Sequence, residues 1–199
     1  MSELLLQARR LAAVEVVSAA PVRRALLLAL FALLTALGAY VAVPLPVGPV
    51  PLSLQTLFVL LCGLLLGPRL GAAAQATYLT AGFMGLPVFA QGFGGPGVLL
   101  GPTGGYLIAF PAAAALAGWV AERAQRPGGS AAVAALAAGA LLGSATILLG
   151  GWAQLSVITG SPARAAAVGV LPFLAGDAVK LGFAVVLAAG LGPRFRQLL

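Results

Sequence analysis

Asp177 and Lys180 stand three residues apart inside an otherwise apolar stretch, LPFLAGDAVKLGFAVVLAAGL. In a helix that spacing puts both on one face. A charged residue at the centre of a membrane-spanning helix costs about 2.5–3.5 kcal/mol on insertion scales, so such residues face a protein interior or a cavity. The carboxylate can accept N–H groups, and the ammonium can donate to a carboxylate. That is binding chemistry for a small polar ligand; the alternative is a structural ion pair near the interface. Other polar groups in or beside apolar segments are Gln55, Gln75, Gln154, Tyr78, Tyr106 and Trp152. A buried amide needs a partner. Each can touch a ligand or bridge helices, and Tyr106 and Trp152 also suit an interfacial aromatic belt.

Catalysis has little to work with. The chain has no histidine and one cysteine, Cys62, in an apolar run. The commonest general base and metal ligand is therefore missing, and no intrachain disulfide can form. Gly92, Gly94 and Gly97 match a dinucleotide-binding pattern, but no strand, βαβ frame or downstream acid accompanies them. No Walker lysine follows them either, so any ATP chemistry belongs to another subunit. The stretch QGFGGPGVLLGPTGG (91–105) reads better as backbone that a small ligand can approach closely. No metal site, no cofactor and no enzymatic activity are expected.

The elements holding these residues must be membrane helices. Of 199 residues, 61% are hydrophobic and 8% charged, with a mean hydropathy of +1.09. A soluble domain carries about 25% charged residues. The net charge of +7 flanks the apolar segments and forms no aromatic-interleaved stripe, which argues against nucleic acid. The expected fold is an all-α integral membrane protein, one domain over 1–199. It has an N-terminal segment (1–22), a six-helix bundle (23–192) and a short tail (193–199). The charges at Glu3, Arg9, Arg10 and Glu15 do not suit a secretory leader. An interfacial amphipathic helix or a frayed tail fits residues 1–22.

The six spans fall at about 23–40, 54–66, 70–84, 106–120, 131–149 or beyond, and 173–191. Gly67–Pro68–Arg69 turns between the second and third, which are short for a bilayer of about 30 Å; a re-entrant hairpin is the alternative. A bend is expected at Gly150–Gly151. Three loops remain: Val43–Pro51, with four prolines and a stiff extended character; Gly85–Gly105; and Thr159–Pro172. With the N-terminus inside, Arg9, Arg10, Arg23, Arg24, Arg69, Arg123, Arg126, Arg194 and Arg196 fall inside and only Arg164 outside. By the positive-inside rule both termini are cytoplasmic and all three loops external, in a multi-pass protein of the cell membrane. The first helix carries alanines at 25, 29, 32, 36 and 39 on one face, a small-residue stripe on which another helix can dock, internal or foreign.

Four stretches carry a resemblance: PVPLSLQTL (49–57), GLPVFA (85–90), LLGPTGGY (99–106) and PFLAGDAVK (172–180). With them the chain resembles the BioY family, the biotin-specific membrane components of energy-coupling factor transporters. The resemblance implies a six-helix fold and capture of biotin from outside. It also implies docking to a transmembrane coupling subunit with two ATP-binding subunits, through the face of Ala25, Ala29, Ala32 and Ala36. It places the ligand at Asp177 and Lys180, with Gln55, Gln91, Phe93 and Tyr106 as further contacts and the proline-rich loop as lid. Where the family often has a second proline before this aspartate, this chain has Ala175. In the glycine loop, where a polar side chain can meet the ligand, Phe93 stands with Gln91 nearby. A stand-alone ion-driven transporter and a carrier of another vitamin are the rival readings.

Overall fold

A computed structural model describes residues 2–124 and 130–198. The chain is all helix apart from a two-residue ribbon: α1 (Ser2–Tyr40), β1 (Ala42–Val43), β2 (Leu52–Ser53), α2 (Gln55–Phe83), α3 (Pro96–Leu100), α4 (Gly104–Ala124), α5 (Ser130–Thr159), α6 (Pro162–Gly169) and α7 (Leu174–Leu198). Five helical segments are long and apolar enough to cross a membrane. One of them folds back on itself at Gly67 into two helical arms, which gives the six expected helices.

That segment is α2. Gly67 has φ +78° and ψ 179°, a conformation open to glycine but strained for residues with a Cβ. The chain reverses there, with Pro68 starting the second arm. Gly71 folds back on Gly63, and Gln55 and Tyr78, twenty-three residues apart, are hydrogen-bonded. The arms, 55–66 and 68–83, lie against α4. The tip at Gly67 packs on Gly118 and on the Glu122 side chain. α4 is 21 residues, about 31 Å long. The hairpin therefore reaches the far end of α4 rather than stopping midway, which disfavours a re-entrant reading.

Both ends of the bundle are now distinguishable. The segments 41–54, 84–103 and 160–173 converge at one end. Arg69 and Arg123 lie at the other, beside the hairpin tip and the end of α4. Arg123 stacks on Trp119, 3.8 Å from the ring centroid. The expected turn over Arg123–Ser130, with Arg126, lies at 125–129 outside the described residues.

Several boundaries differ from expectation. α1 is continuous from Ser2 through Pro21, so the N-terminal segment and the first span are one helix. α7 continues through Pro193 to Leu198, so the short tail is helical too. The third loop contains α6, started by the Ser161 side chain, which accepts the Arg164 N–H, and by Pro162 in the first turn. α5 runs unbroken through Gly150–Gly151 to Thr159. Those glycines make room rather than bend the helix: a Cβ on Gly151 would enter the Tyr106 ring, and one on Gly150 would strike the Gly105 carbonyl.

Two cores divide the interior. One, towards the arginine end, gathers Leu27, Phe31, Leu64, Ala117, Ala140 and Ala184. The other, towards the loop end, gathers Val59, Tyr78, Phe89, Tyr106, Phe110, Ile147 and Phe173. Large apolar side chains such as Val157 (83% exposed) and Val186 (69%) point outward, as lipid-facing surface requires.

Candidate functional site

The site begins with the ion pair. α7 opens with Leu174, and Asp177 stands in its first turn with Lys180 one turn on. Both are buried, and Lys180 Nζ lies 2.6 Å from Asp177 Oδ1. The ammonium also donates to the Ser53 carbonyl at 3.1 Å. Ser53 is held by the ribbon, where it pairs with Ala42 while Leu52 pairs with Val43. The short ribbon thus brings the proline-rich loop to the top of α7.

A cavity of about 550 Å³, counting its open mouth, lies beside the pair. Its apolar and aromatic walls include Val50, Tyr106, Leu107, Phe110, Ile147 and Phe173, drawn from the proline loop, α4, α5 and the start of α7. Tyr106 and Phe173 lie ring against ring with centroids 6.1 Å apart. The Tyr106 hydroxyl donates to the Gly169 carbonyl at 2.6 Å, so it is engaged by α6 and the ring is what faces the cavity.

Polar atoms are few and placed. Gln55 lines the cavity at the start of α2; its amide donates to the Tyr78 hydroxyl and its carbonyl accepts from Ser53 Oγ at 3.0 Å. One cavity-lining residue, Thr56, has a buried hydroxyl oxygen without a hydrogen-bond partner among the described residues. An unpaired buried polar group costs about 1–3 kcal/mol. Asp177 Oδ1 is held in the ion pair by the Lys180 ammonium, 2.6 Å away. Thr56, Gln55 and the Asp177–Lys180 pair supply polar groups to a mainly apolar lining. Among the described residues no three metal-ligating side chains come together.

Of the residues singled out from sequence, Asp177, Lys180, Gln55 and Tyr106 share this cavity. Gln91 and Phe93 do not. They line a neighbouring, more open hollow with Pro49, Gly97 and Pro102, and Phe93 is 58% exposed. Pro51, Ala90 and Thr103 border both spaces. The alanine stripe divides as well. Ala25 and Ala29 are exposed and Ala32 half-buried, but Ala36 is buried in the loop-end core and cannot meet a partner in this conformation. Gln75 and Gln154 bridge segments: Gln75 donates to Thr35 at 3.1 Å, and Gln154 donates to the carbonyls of Leu99 and Gly101 at the end of α3. Trp152 donates to the Pro162 carbonyl.

Sequence reasoning missed Thr56, Thr103 and Phe173. Each lies in a stretch already singled out, PVPLSLQTL, LLGPTGGY or PFLAGDAVK, but nothing local to the residue marked it as facing a cavity.

Comparison with known proteins now adds to the geometry. Residues 9–197 match the model of the BioY family. The chain belongs to the BioY family. A probable biotin transporter BioY of Pyrococcus horikoshii is 44% identical over 162 residues, covering 81% of this chain and 91% of the relative. The biotin transporter BioY of Thermotoga maritima is 39% identical over 159 residues, covering 80% and 89%. A crystal structure of the S-component for biotin from an ECF-type ABC transporter superposes with a TM-score of 0.76 at 26% identity, over 86% of this chain and 91% of that one. With BioY relatives at this coverage, the chain is a multi-pass membrane protein and a transporter component.

Proposed function

We propose that this protein is a biotin-binding membrane subunit, which captures biotin at the loop end and passes it inward. The observation that carries the reading is the buried Asp177–Lys180 ion pair in the lining of an aromatic-walled cavity, with Gln55 and Thr56 in the same lining. Biotin has a ureido ring with two N–H groups and one carbonyl, a fused sulfur ring and a valerate tail. Asp177 presents an acceptor next to the Lys180 donor, and the cis-amide edge of a ureido ring presents the complementary donor next to an acceptor. A ureido N–H fits the Asp177 carboxylate, and the ureido carbonyl fits Lys180. Thr56, in the same lining, would meet the second N–H. Hydrogen bonds to charged groups contribute about 1.5–3 kcal/mol each. Phe110, Phe173 and the Tyr106 ring supply the apolar walls for the bicycle. The valerate tail then points towards the border at Pro51, Ala90 and Thr103, with Gln91 and Phe93 beyond it.

In this reading the arginine end is cytoplasmic, following the charge bias. The ligand leaves unchanged, so the protein is not an enzyme and needs no cofactor. Energy comes from a transmembrane coupling subunit with two ATP-binding subunits. That partner meets the lower half of the alanine face, where Val22, Ala25, Leu26, Ala29 and Leu33 form an exposed stripe. Ala32 lies at its margin.

The test is isothermal titration of biotin into detergent-purified protein, with thiamine and riboflavin as controls. Biotin alone is expected to bind, and Asp177→Asn to weaken it at least about tenfold, the loss of one charge-assisted hydrogen bond. No binding to folded protein, or unchanged affinity in the variant, overturns the proposal.

A further inference from the structure

We propose that Tyr78 is a positioning residue that ties the border segment around Ala90 to the Asp177–Lys180 pair. This inference rests on the biotin-binding reading, because the pair is its ligand-sensing end. Tyr78 is 1% exposed and lies outside the cavity, in the second arm of α2. Its hydroxyl donates to the Val88 carbonyl at 3.0 Å and accepts from the Gln55 amide. The Gln55 carbonyl accepts from Ser53 Oγ, and the Ser53 carbonyl accepts from Lys180 Nζ. The Lys180 ammonium lies against Asp177. An unbroken run of contacts therefore leads from the ion pair to a backbone carbonyl two residues before Ala90. The link through Ser53 is mechanical, its backbone carbonyl held by Lys180 and its side chain by Gln55.

Packing holds the same segment to the same residue. The Phe89 ring meets Tyr78 edge-on, with centroids 5.6 Å apart, and Phe89 precedes Ala90 directly. Ala90 borders both the inner cavity and the outer hollow. The segment carries positive φ at Gln91 (62°) and Gly92 (77°), a conformation that residues with a Cβ rarely hold unless their surroundings impose it. A second tether stands outside: the exposed Tyr40 hydroxyl donates to the Pro87 carbonyl. Tyr78 is the inner tether and the one connected to the charges. When a ligand engages Lys180, the pull on Ser53 changes, and through Gln55 and Tyr78 so does the hold on the border at Ala90.

Hydrogen–deuterium exchange on Tyr78→Phe tests this. The phenyl ring keeps the packing on Phe89 and Phe110 and removes only the hydroxyl. Without ligand, amides of residues 88–95 are expected to exchange about five- to tenfold faster than in wild type, the factor for one lost hydrogen bond. With saturating biotin, wild type is expected to slow exchange across 88–95. Tyr78→Phe is expected to bind biotin yet lose that ligand-dependent slowing. Ser53→Ala keeps the Tyr78–Val88 bond and cuts the chain one link earlier. It is expected to leave ligand-free exchange near wild type and also to lose the biotin response. Unchanged ligand-free exchange in Tyr78→Phe, or a full biotin response in either binding-competent variant, overturns the proposal. Absence of biotin binding in wild type instead overturns the binding reading, and the ligand-free comparison still decides the tether. Should Tyr78→Phe not fold, binding-competent Ser53→Ala decides alone, with loss of the biotin response expected and a full response refuting.

Discussion

Thr56→Val separates a residue that serves the ligand from one that serves the fold, because the two roles predict opposite signs. Thr56 follows Gln55 in the first turn of α2 and lines the cavity, and its hydroxyl oxygen is buried with no partner among the described residues. A buried unpaired hydroxyl carries a desolvation penalty of about 1–3 kcal/mol. Valine keeps the branched shape and removes the polar atom. The ligand-free protein is therefore expected to gain about 1 kcal/mol, which for a chain of this size raises the melting midpoint by about 2–4 °C. The liganded protein loses one hydrogen bond of about 1 kcal/mol net, so biotin affinity is expected to fall about five- to tenfold. The midpoint is read by thermal unfolding in detergent without ligand, the affinity by titration. A lowered midpoint with unchanged affinity would refute the reasoning, since it would mean that the hydroxyl supports the helix start and receives nothing from the ligand.

Two further outcomes follow from the same geometry. Lys180→Met leaves the Asp177 carboxylate buried without its cation, which costs about 3–5 kcal/mol, so the variant is expected to unfold at markedly lower temperature. Lys180→Met with Asp177→Asn should recover most of that midpoint while binding no biotin, and a double variant as unstable as the single one would show that charge compensation is not what the pair provides. Gln91→Ala is expected to change biotin affinity by less than about threefold, because its side chain borders the outer hollow; a tenfold loss in the same titration would show that the ligand reaches past Ala90.

How much of the site could be read in advance depended on the range of the contacts. Asp177 and Lys180 were legible because their relation is a property of one helix, fixed by spacing and by the cost of charge among apolar residues. The hairpin reversal was equally local: Gly67 followed by Pro68 leaves few backbone choices. The short helix α6 was missed although Ser161 and Pro162 mark its start, because Gly160 and the prolines around it read as loop. Gln91 and Phe93 were offered as ligand contacts by the resemblance; which hollow they border is set by long-range contacts of their segment with Tyr40 and Tyr78.

By itself the sequence determined a six-pass membrane bundle, three loops gathered at one end, the charge bias of the other, and one ion pair at the mouth of the last helix. Periodicity, hydropathy and turn chemistry act over a few residues, so they survive without a fold. Tertiary structure alone decided that Gly151 is a seat for the Tyr106 ring, that Ala36 packs inward while Ala25 and Ala29 stay exposed, and that Thr56, in the cavity lining, ends with its hydroxyl unpaired among the described residues. Each of these depends on which atoms from distant segments do or do not arrive beside a residue. The absence of a partner, which is what makes a polar group available to a ligand, exists only once the rest of the chain is in place.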